Sequence, residues 1–64
     1  MKTIEIEIRQ QNENVQQYNL YVGYNKEYPQ LHSMALTYDE ARLLALDIII
    51  ANPEHLPKIT IDKY

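Results

Sequence analysis

Ile4, Ile6 and Ile8 alternate with Thr3, Glu5, Glu7 and Arg9, so the chain opens on a period of two that predicts a strand with one apolar and one wet face. The polar run Gln10-Gln11-Asn12-Glu13-Asn14 follows, and its asparagines tolerate the left-handed backbone of a reversal, so a hairpin is expected. From Val15 to Tyr24 the alternation resumes. It places Tyr18, Leu20, Val22 and Tyr24 toward the core, and Gln17, Asn19, Tyr21 and Gly23 on the other side. Gly23 is the single glycine, and within a strand it marks a bulge or a close backbone approach; a bulge is the expectation here. Asn25-Lys26-Glu27-Tyr28-Pro29 reads as a turn, because Pro29 cannot donate a ladder hydrogen bond and holds Tyr28 in extended geometry. Residues 30–36 then predict a shorter third strand, with His32, Met34 and Leu36 sharing one face.

The pattern changes period at Thr37. Thr37-Tyr38-Asp39-Glu40 is a capping box, in which the threonine hydroxyl accepts from the Glu40 amide while the glutamate reaches back to the Thr37 amide. Asp39 and Glu40 also complement the positive end of a helix dipole. A helix is predicted from Tyr38 to Ala51, ending at Asn52-Pro53, where proline disfavours helical angles in the residue before it and asparagine can cap in the left-handed region. Residues 54–57 form a connector. Residues 58–63 alternate again, with Ile59 and Ile61 inward, and predict a last strand. The order β-β-β-α-β, with the final strand returning through a right-handed crossover, implies an α+β domain: a small mixed or antiparallel sheet with one helix packed on one face. Glu5, Glu7, Gln17, Asn19 and Tyr21 keep the other face wet. The 64 residues suffice for a single domain spanning 1–64.

At 100° per residue the helix carries two apolar stripes, Ala41, Leu44, Ala45 and Ile48 on one side and Leu43, Leu46 and Ile50 on the other. One small sheet can bury one stripe. The second is expected to meet a partner, unless the connector carrying Leu56 covers it. Burying three large aliphatic side chains contributes roughly 1.5–3 kcal/mol each, a large share of what holds so short a chain folded. With no cysteine for disulfides or thiolate zinc, self-association is the expected source of further stability. Leu43, Leu46 and Ile50 are therefore the candidate homodimer contacts. Tyr21 on the wet face and Tyr28 in the turn are secondary contacts, because tyrosine joins a large contact surface to a hydroxyl that tolerates water.

The remaining composition narrows function mainly by exclusion. Cysteine-free composition and a strand pattern starting directly after Met1-Lys2, with no apolar leader, point to the cytoplasm. The longest apolar run, Ile48 to Ala51, is far below the roughly 20 residues of a membrane span. A net charge of −3 has the wrong sign for gathering phosphates, which disfavours nucleic acid. One glycine cannot build a phosphate loop, and His32 and His55 lack metal-ligand spacing. Neighbouring residues of a strand point to opposite faces, so Ser33 and His32 are not expected to pair as nucleophile and base. No catalytic residue, cofactor site or metal site is assigned, and the protein is not expected to be an enzyme.

Thr37-Tyr38-Asp39-Glu40-Ala41, leading into an alanine- and leucine-rich helix after three strands, resembles the partial ribonuclease-H-like domain of HicB-type antitoxins over about Tyr18 to Ile50. In place of the family's proline-leucine-glycine segment stands Tyr28-Pro29-Gln30-Leu31, and the family's separate DNA-binding tail is expected to be missing, which puts transcriptional autoregulation in doubt. The resemblance implies a dimer-forming module that binds a partner protein. The resulting expectation is a small non-enzymatic binding module, a dimeric regulator or inhibitor that contacts itself and another protein. The alternatives are a sponge-like carrier of a small ligand or nucleotide held between the helix and the tyrosines, and a nucleic-acid mimic or binder using Glu5, Glu7 and Glu13 or a basic patch of Lys26, Lys58 and Lys63.

Overall fold

Each change of periodicity becomes an element in the computed structural model, which describes all 64 residues: β1 (Thr3–Asn12), β2 (Val15–Tyr24), β3 (Gln30–Leu36), α1 (Tyr38–Ala51) and β4 (Leu56–Asp62). The strands form one mixed sheet in the order β3-β2-β1-β4, with β1 antiparallel to β2, β2 antiparallel to β3, and β4 parallel to β1. The expected β-β-β-α-β architecture is the observed one.

Ile4, Ile6 and Ile8 of β1, Tyr18, Leu20 and Val22 of β2, and Ala41 and Ala45 of α1 make the core. The two alanines let the helix backbone come close to the sheet, and Leu44, Ile48 and Ile49 pack around them half-buried. Tyr24, expected inward, is exposed at the end of β2, where it meets the His55 ring edge-on at 5.6 Å between centroids. The helix lies over β1, β2 and β3 and makes no more than marginal contact with β4. The result is an open slab: its Cα radius of gyration is 11.5 Å, against about 10.7 Å for a compact chain of this length.

Local details depart from the sequence expectation where backbone geometry intervenes. Gly23 sits in regular register opposite Glu5, with no bulge. A Cβ there would lie 2.5 Å from the Glu27 carbonyl oxygen and 3.1 Å from Pro29, so the glycine serves the close approach of the turn that folds back over it. That turn places Asn25 and Lys26 at φ 53° and 69°, and the Glu27 amide donates to the Tyr24 carbonyl at 3.0 Å. Gln10, expected in a turn, continues the inner face of β1. Its buried amide donates to the carbonyls of Asn12 and Val15 and accepts from the Tyr64 amide, at 3.0–3.1 Å.

Strand β3 does not alternate as expected. Its register against β2 slips once between Leu31 and Ser33 and again between Ser33 and Leu36, each time by one extra residue on β3, and Ala35 takes a left-handed φ of 56°. His32, Met34 and Leu36 therefore do not share a face: Leu36 packs on the core opposite Tyr18, while His32 and Met34 are exposed.

The helix starts as expected. The Glu40 amide donates to Thr37 Oγ1 at 3.1 Å and the Thr37 amide donates to Glu40 Oε1 at 2.8 Å. Its C-terminal cap differs, because Asn52 adopts φ −126°, ψ 62° and ends the helix through its side chain, whose amide donates to the Ile48 carbonyl at 2.7 Å. Strand β4 begins at Leu56, two residues early, where the Leu56 amide donates to the Lys2 carbonyl at 2.9 Å.

Candidate interaction surface

The face of α1 opposite the buried alanines is open to solvent. Leu43 is 63 % exposed, Leu46 47 % and Ile50 74 %. Leu56, the residue that could have covered them from the connector, is itself exposed. No part of the chain hides this stripe, so the surplus apolar surface read from the helical period stands on the folded molecule.

The stripe does not end at the helix. Ile59 and Ile61 pair with Ile6 and Ile8, so they project from the same sheet face, yet the helix stops short of them and they remain 44 % and 43 % exposed. Between α1 and β4 runs a groove of about 220 Å³ lined by Ile8, Arg42, Ala45, Leu46, Ile59 and Ile61. Sequence periodicity placed Ile59 and Ile61 inward. It could not say that the helix would sit off-centre and leave them partly exposed.

On the opposite sheet face, Tyr21 and Tyr28 meet at Arg9. The guanidinium lies 4.7 Å from the Tyr21 ring centroid. The Tyr28 hydroxyl first, and then the Glu7 carboxylate, hold the Arg9 pKa above its ordinary value. Arg9 also pairs with Glu7 and stands 3.9 Å from Asp62 of β4. Arg9 was not singled out from sequence; its place two residues after Glu7 on one strand face was the available signal.

Other chemistry-bearing residues are scattered or simply paired. His32 Nδ1 lies 2.8 Å from Ser33 Oγ, contrary to the expectation that they face apart, because the β3 slip at this point breaks the alternation. The pair sits on an edge strand, with His32 exposed. Lys26 and Lys58 line one shallow cavity, whereas Lys63 lies elsewhere, its Nζ 4.0 Å from the Tyr38 ring centroid, so the three lysines do not form one patch. No group of three or more histidine, aspartate, glutamate or cysteine side chains is gathered to hold a metal ion. No helix is long and apolar enough to cross a membrane. Compared with known proteins, the chain finds no significant match among protein-family models, curated proteins or solved structures.

Proposed function

We propose that this protein is a small non-enzymatic binding module that works as a homodimer and regulates or inhibits another protein by contact. The observation that carries the reading is the continuous apolar surface from Leu43, Leu46 and Ile50 of the helix across the groove to Ile59 and Ile61. Contiguous surface of this kind, rimmed by charged Arg42 and Asp47, is the mark of an interaction site. Leu46 lies between the two halves of the patch and belongs to the dimer contact. Leu43 and Ile50, on the same helix stripe, belong to it as well, and Tyr21 and Tyr28 on the other face are the surface for a second protein. An antitoxin-like role, binding and silencing a partner, fits this division.

The small-ligand reading draws less support, since the groove beside the helix is below the roughly 300 Å³ usual for such sites and has no tyrosine, while the largest cavity, of about 380 Å³ and lined by Arg9, Gln10, Asp62, Lys63 and Tyr64, is largely polar and has no wall from the helix. A nucleic-acid role is opposed by the net charge of −3 and the dispersed lysines. Light scattering of the full chain is expected to give twice the mass of one chain. Leu46→Glu is expected to give a single chain with a lower melting temperature, because an associated state is stabilised by mass action. A monodisperse single chain for the unmodified protein overturns the reading.

A further inference from the structure

We infer that the dimer forms by antiparallel pairing of β4 with β4 of a second copy, about a two-fold axis through Thr60; the inference rests on the homodimer reading above. The first support is the phase of the backbone groups. The Leu56 amide points at β1, where it donates to Lys2, so by strand alternation Lys58, Thr60 and Asp62 also direct their backbone groups at β1. The amides and carbonyls of Ile59 and Ile61 then point outward and unpaired. Pro57, which has no amide to offer, falls on the same outward phase at the strand's start, where an edge strand tolerates it.

A two-fold axis through Thr60 sets Ile59 opposite the partner's Ile61 as a hydrogen-bonded pair, so the two residues satisfy each other's outward groups. Thr60 meets its own copy as a non-hydrogen-bonded pair. On the helix side, the partner's Ile61 and Ile59 lie beside Ile59 and Ile61 and extend the apolar floor of the groove across the axis.

The second support is charge. On the outer face Glu5 stands opposite Lys58, and Arg9 opposite Asp62. The same axis places Lys58 opposite the partner's Asp62. Each crossing row then reads Arg9, Asp62, the partner's Lys58 and the partner's Glu5, alternating in sign, and the symmetry gives two such rows. A shift of register by one residue breaks the rows and turns isoleucines to the wrong face.

The third support is closure. The other sheet edge, β3, is interrupted by two register slips and the left-handed Ala35, so it offers no regular ladder. Pairing through β4 consumes the one regular edge of each copy, and assembly stops at two chains.

The test uses the full chain, whose lack of cysteine makes an introduced thiol unique. In the unmodified protein, amide exchange of Ile59 and Ile61 is expected to slow at least tenfold as concentration is raised through the dimerisation range. Thr60→Cys is expected to oxidise to a covalent dimer, because Cα atoms of a non-hydrogen-bonded antiparallel pair lie about 4.5 Å apart, within disulfide reach. Met34→Cys on the other edge is expected to stay unlinked. A dimer by light scattering with fast exchange at Ile59 and Ile61, or with no cross-link at position 60, overturns the strand pairing and leaves the homodimer reading standing. A single chain by light scattering overturns both.

Discussion

The two edges of the sheet carry opposite kinds of irregularity. Strand β3 is broken in its backbone, with two slips and a left-handed alanine, but its core contact is sound, since Leu36 reaches Tyr18 and the helix lies above it. Strand β4 is regular in its backbone from Leu56 to Asp62, while its inner face is only partly covered. Edge strands that must stay single are commonly twisted, bulged or charged so that no other chain can add to them. By its backbone β3 is closed to addition, whereas β4, apart from Pro57 at its start, keeps a regular ladder whose charges Lys58 and Asp62 are of opposite sign, and that edge is the one bordered by surplus apolar surface. Two features that each look like a local defect, the slipped strand and the off-centre helix, together give the molecule one sticky side.

The contrast can be broken most decisively by placing a charge on each edge. Ile59→Lys is expected to weaken the proposed self-association by tenfold or more, read as half the mass expected of the proposed dimer, because the ammonium would be buried among isoleucines without a partner. Met34→Lys, on the exposed part of β3, is expected to leave the mass unchanged. Equal effects from both substitutions would erase the distinction between the edges.

A middle-sized effect is expected at the hinge of the closed edge. Gly23→Ala forces a methyl against the Glu27 carbonyl and Pro29, and should lower the unfolding free energy by about 1–3 kcal/mol, read as an earlier denaturant midpoint at fixed protein concentration. A neutral result would mean that the turn leading into β3 can relax, and that the glycine is not what holds the turn in place. The smallest effect is expected at Ala35. Its left-handed φ carries a penalty that glycine does not, so Ala35→Gly should stabilise by about 0.5–1 kcal/mol while leaving the mass unchanged. Should Ala35→Gly produce assemblies larger than two chains, the strained alanine would be identified as a guard on that edge.

Much of the fold is legible in the residue pattern. The isoleucine alternation of β1, the β2 boundaries and the capping box of α1 appear where periodicity and cap chemistry put them. The slips in β3 were hidden, because a bulge is decided by cross-strand partners that a single strand's pattern does not contain. Gly23 shows the same limit: its type announced a special position, but the choice between a bulge and a close approach belonged to Glu27 and Pro29. Of the surface residues, Leu43, Leu46 and Ile50 could be found from a helical wheel. The exposure of Ile59 and Ile61 could not, and for Arg9 only its pairing with Glu7 could, since the rest depends on where the helix and neighbouring strands come to rest.

The sequence by itself determined which residues alternate, where the helix begins and that its apolar surface exceeds what one side can bury, since these follow from periods of 2 and 3.6 residues and from local hydrogen bonding. Tertiary structure alone decided that the helix settles over β1, β2 and β3 instead of centring on all four strands, and so that β4 is left uncovered beside Leu46. The reason is physical: Ala41 and Ala45 dock where the large side chains of β1 and β2 fill the space beneath them, and that fit is a property of packed volumes, which no single segment carries.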